Sequence, residues 1–214
     1  MSDNIAFQSY RIAFRSKSLF RNINIKLIME RFSNAGYSFR LSPPVINPVA
    51  DETGVGIKGP VLQKGEIIID INSDINSIGI QFNNLDVLIK EIEETFLPRL
   101  KDIEYFYHKM WFYEFQGKIK VKNMGISIFN TIKPSNIQNI INIVDNDKNI
   151  MKIRGLTLWS NDNPDSENFA EVKLSPDLMD TNLMVYQLIF RTQQENNFFE
   201  KLEYINKNIH SLDA

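Results

Sequence analysis

Cysteine is absent from all 214 residues of this chain. Disulfides, thiolate metal sites and thiol nucleophiles are therefore excluded, and the composition suits a reducing compartment. Histidine is almost absent as well, with only His108 and His210 present, which leaves little for a zinc site or a hydrolase triad. No apolar run approaches the roughly 18 residues of a membrane-crossing helix. The net charge of −2 gives no overall attraction to nucleic acid or to an anionic surface. The opening Met1-Ser2-Asp3-Asn4 lacks the basic-then-apolar order of a secretory signal. A cytoplasmic protein with no membrane partner is the expectation.

What is present is an ordinary globular composition with uneven charge. Hydrophobic residues at 43% and charged residues at 23% suit one well-buried core or two small ones. Over residues 1–42, Arg11, Arg15, Lys17, Arg21, Lys26, Arg31 and Arg40 stand against only Asp3 and Glu30. Residues 86–104 lean acidic.

The order of elements appears twice. Ile5–Arg15 alternates Tyr10, Ile12 and Phe14 against Ser9, Arg11 and Ala13, the pattern of a half-buried strand. Leu19–Ala35 changes to helical period through Phe20, Ile23, Leu27, Ile28 and Phe32, and Gly36 stands where a helix-ending glycine belongs. Ser42–Thr53, with Pro43, Pro44 and Pro48, reads as a surface loop. Strands follow at about 55–62, 66–72 and 76–82, the last two joined by Asn72-Ser73-Asp74. Asn83 is the expected cap of a helix buried through Leu85, Leu88, Ile89, Ile92 and Phe96, which Pro98 kinks or ends.

Ile103–Phe115 fits either strand or helix, and its Tyr, Trp and Phe content favours strand. Gly117 is expected to break the pattern before a separate strand, Lys118–Asn130. A short helix over Pro134–Val144 and strands at Ile150–Ser160, Asn168–Ser175 and Asn182–Arg191 come next. Thr192 and Glu195 have the spacing of a capping box before a last helix buried through Phe198, Phe199, Leu202, Ile205 and Ile209. Matching anchors are Ile57-Lys58-Gly59 with Ile153-Arg154-Gly155, and Leu88–Ile92 with Phe198–Leu202. The expected fold is α+β, with pseudo-duplicated β-α-β-β-β-α halves at 1–102 and 103–214. They would form one continuous unit with a mostly antiparallel, curved sheet and helices on one face.

Several motifs have simpler readings than the chemistry they suggest. Gly54-Val55-Gly56-Ile57-Lys58-Gly59 matches a dinucleotide fingerprint, but Pro60 and strand-like sequence follow where a helix should start. Asp70, Asn72 and Asp74 have calcium-loop spacing, yet Ile75 and Gln81 stand where that loop needs glycine and glutamate. His108 could serve a triad or metal site with Glu104 or Glu114, though no supporting spacing surrounds it and packing accounts for it. His210 suits the C-terminal end of its helix. Glu91, Glu93 and Glu94 are expected on a solvated helix face. No catalytic residue, cofactor or metal is assigned.

Alternating lysines on one strand, Lys118, Lys120 and Lys122, could meet phosphates, as could Arg11 and Arg15. Tyr105, Tyr107 and Trp111 could stack on bases. Lysines so placed also blunt a strand edge.

The repeated β-α-β-β-β-α order resembles the half-unit of the TATA-binding-protein-like fold, a likeness of topology over most of the chain that carries no motif. Lys122-Asn123-Met124-Gly125-Ile126-Ser127-Ile128-Phe129-Asn130 resembles a segment of a sporadically distributed prokaryotic family of uncharacterised proteins with a similar duplicated layout. That family brings no established activity. The function expected is non-enzymatic binding of a macromolecule, by protein interaction or self-association to cover the open sheet face. The alternatives are nucleic-acid binding through the basic residues, and a small-molecule or lipid pocket between helices and sheet.

Overall fold

The structure, a computed structural model, describes residues 5–17, 25–40, 45–51, 54–103, 110–122, 156–160, 168–180 and 182–209. Strand β1 (Ile5–Ser16) follows the alternation of its sequence: Tyr10, Ile12 and Phe14 are wholly buried, while Arg11 and Arg15 between them are half-buried. Helix α1 (Ile25–Ser33) buries Ile28 and Phe32. Gly36, at φ +86°, closes it by donating its N–H to Ser33 O, and the Tyr37 N–H donates to Phe32 O. This is the glycine stop expected from the sequence.

Strands β2 (Ser38–Phe39), β3 (Val45–Asp51), β4 (Gly54–Lys64), β5 (Ile67–Asn72) and β6 (Ser77–Phe82) come next. Helix α2 (Leu85–Glu91) runs through a π-helical turn (Ile92–Phe96) into α3 (Leu97–Lys101). The second part of the chain supplies β7 (Met110–Lys122), β8 (Leu156–Trp159), β9 (Phe169–Pro176), β10 (Leu183–Thr192) and α4 (Glu195–Ile209).

Several expectations are corrected. Part of the expected loop over 42–53 is strand β3, which pairs Val45 with Lys58 and Asn47 with Gly56. Pro48 falls where that register breaks, on an edge strand, which is where a sheet tolerates proline. Asn84, not Asn83, caps α2, accepting the Val87 N–H at 3.1 Å, while Asn83 reaches Glu66. Of the two outcomes expected at Pro98, a kink or a stop, the stop does not occur: the preceding turn widens, Leu97 donating its N–H five residues back, to Ile92 O, and the helix continues.

Gly117 does not interrupt β7, which is continuous. A Cβ there would stand 3.0 Å from the Phe115 ring and 3.5 Å from Tyr10, so the glycine makes room for those rings. At the start of α4 the Thr192 hydroxyl accepts the Gln194 N–H, and Glu195 binds Tyr113 and Lys101. The described part of the ambiguous segment, from Met110 on, is strand, as favoured. The expected helix at 134–144, the anchor 153–155 and the segment 123–130 lie outside the described residues.

All ten described strands join one antiparallel sheet in the order β2-β4-β5-β6-β1-β7-β10-β9-β8, with β3 beside β2 on the outer edge of β4. The centre is the long β1–β7 pair, in which Tyr10 faces Gly117, Ile12 faces Phe115 and Phe14 faces Tyr113. Those residues look toward the helices. A chain of ring contacts runs Tyr37, Phe32, Phe96, Phe14, Tyr113, Phe198, Phe190, Phe115, with centroids 5.2–5.5 Å apart. It ties α1, the π turn and α4 to the same side of β1, β7 and β10. Truncating a ring such as Phe96 to alanine would cost about 3–5 kcal/mol.

Candidate functional site

Among the described residues no helix packs on the other side of the sheet, and there the sequence places its charges. Because strand side chains alternate, Ser9, Arg11 and Arg15 of β1 share this face with Gln116, Lys118, Lys120 and Lys122 of β7. The pairings extend it through Gln81 and Gly79 of β6, Asp70 of β5, and Gln187, Ile189 and Arg191 of β10, to Glu171 and Lys173 of β9.

Most of these charges hold one another. Arg11 grips Asp70 with two hydrogen bonds, Nε to Oδ2 at 2.9 Å and Nη2 to Oδ1 at 2.6 Å. Burial opposes the charge of Arg11, but the hydrogen bond and the fields of Asp70 and Glu114 outweigh it, so its pKa is raised. Arg191 pairs with Glu114, which is only 2% exposed and also accepts from Gln116 at 2.6 Å. Glu171 accepts from the Trp159 indole at 2.6 Å and pairs with Lys173 at 2.8 Å. Lys120 pairs with Asp177 at 2.5 Å.

The guanidinium groups of Arg15 and Arg191 lie 5.2 and 5.7 Å from the centre of the Phe112 ring, and Arg191 also covers Phe169 at 5.5 Å. Such contacts spread positive charge over apolar surface without exposing it.

Between these clusters lies a shallow depression of about 310 Å³ lined by Ser9, Arg11, Gln81, Gln116, Gly117, Lys118, Gln187 and Ile189. A smaller one of about 230 Å³, reached over Ser9 and Gln81, extends it toward Glu66 and Ile68. The floor offers amides, a hydroxyl and cations: groups that hydrogen-bond a polar partner rather than enclose an apolar one.

Of the residues singled out from the sequence, Arg11, Arg15, Lys118, Lys120 and Lys122 do share one face. Trp111 stands at a β-bulge opposite Arg15 and Ser16, with its ring 5.0 Å from that of Phe112, and lies about 23 Å along the strand from Lys118. Tyr105, Tyr107 and His108 lie outside the described residues, as does His210. The glycine-rich stretch 54–59 is part of β4. Asp70 serves Arg11, and Asn72 and Asp74 shape a 3₁₀ turn, with Asn72 accepting the Asp74 N–H. Glu93 and Glu94 are exposed as expected, but Glu91 is not: it accepts from the Tyr37 hydroxyl and from Lys64, each at 3.0 Å.

The sequence reading missed Asp70 as a partner of Arg11, the triad of Gln81, Gln116 and Gln187, and the Arg191–Glu114 pair. Each polar residue sits at an alternate position within an apolar strand, which is the signal that could have marked it.

Set against protein-family models, curated proteins and solved structures, the chain matches none.

Proposed function

We propose that the chain is a non-enzymatic binding module that holds a macromolecular partner on the face of its sheet that no described helix covers, a protein or a second copy of itself in preference to nucleic acid. The observation that carries this is the internal pairing of charge. Seven cations lie on this face in β1, β7, β9 and β10, and four of them, Arg11, Lys120, Lys173 and Arg191, are held by carboxylates. A phosphate-binding surface keeps its cations available for the ligand. Fixed pairs around a floor of glutamines instead suit a polar protein surface.

The strand order supports the accompanying proposal of duplicated, TATA-binding-protein-like halves. Outward from β1 stand β6, β5 and β4, and outward from β7 stand β10, β9 and β8. In that arrangement the open face would span both halves.

Nucleic-acid binding is the second reading, favoured by the shared face of Lys118, Lys120 and Lys122. Sedimentation at rising protein concentration, with anisotropy titrations of DNA and RNA oligonucleotides, separates the two. A dimer insensitive to salt and weakened by Gln187→Glu supports the first. Oligonucleotide binding that falls steeply with salt and is lost in Lys118→Glu replaces it with the second. A monomer at every concentration that also ignores oligonucleotides removes both self-association and nucleic acid.

A further inference from the structure

We propose that the partner on the open sheet face is a second copy of this chain, related by a two-fold axis that sets Lys118 of each copy against Glu66 of the other; this rests on the reading of that face as protein-binding.

The two depressions meet over Ser9 and Gln81 and form one groove across the sheet. Three charged side chains line it: Arg11, Lys118 and Glu66. Arg11 is taken up by Asp70. Lys118 and Glu66 are both exposed. Among the described residues Lys118 has neither hydrogen bond nor ion pair, and Glu66 has only a weak bond from the neutral amide of Asn83, at 3.4 Å. The groove therefore carries an uncompensated positive charge at one end and an uncompensated negative charge at the other.

The strand registers fix where these ends lie. Ser9 pairs opposite Lys118. Continuing the β1–β6 register by one residue puts Asn83 beside Ser9, and continuing the β5–β6 register by two puts Glu66 beside Asn83. The row runs Glu66, Asn83, Ser9, Lys118, and its ends stand three strand steps apart, about 14 Å at the backbone.

A two-fold axis lying in the interface, parallel to the strands and midway between β1 and β6, reverses this row. Lys118 of one copy then faces Glu66 of the other, twice, and Ser9 faces Asn83. In the next row Arg11 faces Gln81, whose amide oxygen can accept from a guanidinium, and Gln116 faces Ile68. One row further Asp70 faces Glu114, and each is already held by an arginine of its own copy. Aligned sheets pack about 10 Å apart, a gap that a lysine and a glutamate from opposite sides can span. An isologous contact needs this kind of self-complementarity. A phosphate backbone laid along the groove would instead meet Glu66 and be repelled. Enclosed between two sheets, the pairs are screened little by salt.

Sedimentation of the full chain at rising concentration tests this, with the wild type, Lys118→Glu, Glu66→Lys and the double variant that carries both. The wild type is expected to dimerise. Each single reversal sets two like-charged pairs in the interface and is expected to weaken the dimer at least about tenfold. The double variant restores opposite charges and is expected to return to within about threefold of the wild type, which also shows that the single variants fail in docking and not in folding. A wild type that stays monomeric overturns the proposal and leaves the face to a different protein. A double variant that dimerises no better than the singles overturns it as well. Gln187→Glu tells this failure from failure of the wider reading. A dimer weakened by Gln187→Glu but indifferent to both reversals uses this face without the Lys118–Glu66 pair, so the pairing alone falls. A dimer indifferent to all three changes uses another surface, and both fall.

Discussion

The guanidinium of Arg11 lies across the bare α-carbon of Gly79 to reach Asp70. A Cβ at position 79 would stand 2.6 Å from Nη2, 2.8 Å from Cζ and 2.9 Å from Nε of Arg11. The glycine is thus the floor on which the two-pronged pair with Asp70 rests, one strand beyond.

Gly79→Ala is expected to push the arginine aside and break the pair. The loss should be about 1–3 kcal/mol, the range for a charged hydrogen-bonded group left unsatisfied. In an Arg11→Ala background the same change should be neutral or slightly stabilising, because glycine is a poor strand residue. Urea denaturation of the four proteins closes the cycle. Equal losses in both backgrounds would show that Arg11 is not the cause.

Asp177 links the turn between β9 and β10 to β7, and its carboxyl is held at about 2 against an ordinary 3.8, first by the Lys120 hydrogen bond and then by the Met179 N–H. The folded state therefore binds this proton less tightly than the unfolded chain. Its contribution to stability is in place above the ordinary value and disappears as pH falls through about 2. A carbon NMR titration of Asp177 should show a midpoint close to 2. In Lys120→Met the midpoint should rise toward the ordinary range and the acid limb of the stability curve should flatten. An unmoved midpoint would assign the effect to the turn's own N–H groups.

The sequence disclosed what depends on local period and concealed what depends on strand order. Tyr10, Ile12 and Phe14 alternate with Arg11 and Arg15 within one strand, so the inward and outward sides of β1 could be read directly. The partner of Arg11 could not, because Asp70 is 59 residues away and meets it only once β5, β6 and β1 lie side by side. Asn83 and Asn84 are equally good caps by type, and backbone geometry alone chooses the second. The prolines around β3 argued for a loop, since proline cannot serve a central strand, yet an edge position removes that objection. Gly117 looked like a break because its reason is packing, the Phe115 ring two residues away on the same strand and the Tyr10 ring across the β1–β7 pair.

Arg191 and Glu114 make the most deeply buried ion pair described, with side-chain exposures of 18% and 2%. Arg191→Met should cost about 3–5 kcal/mol, because it strands a carboxylate out of water. Adding Glu114→Gln should recover a large part, since the amide oxygen can still accept from Gln116 and no charge remains. Urea midpoints of the single and double variants measure this. A double variant as unstable as the single one would assign the loss to Arg191's packing over Phe112 and Phe169 instead.

Two buried phenols set the alkaline limit. Tyr10 and Tyr37 both have their pKa raised above the ordinary 10.0, first by burial, then by Asp86 for Tyr10 and Glu91 for Tyr37. The folded state keeps these protons while the unfolded chain releases them near the ordinary value. Stability from this source is therefore complete below 10.0 and falls as pH rises beyond it. Ultraviolet titration should find both phenols protonated until the chain unfolds. Tyr37→Phe should make the alkaline fall in stability shallower, and Glu91 keeps Lys64 as a partner in that variant. The same substitution should cost about 1 kcal/mol at neutral pH for the lost hydrogen bond to Glu91. A neutral-pH loss with no change in the alkaline slope would show that Tyr37 ionises within the folded chain, and that burial does not hold its proton.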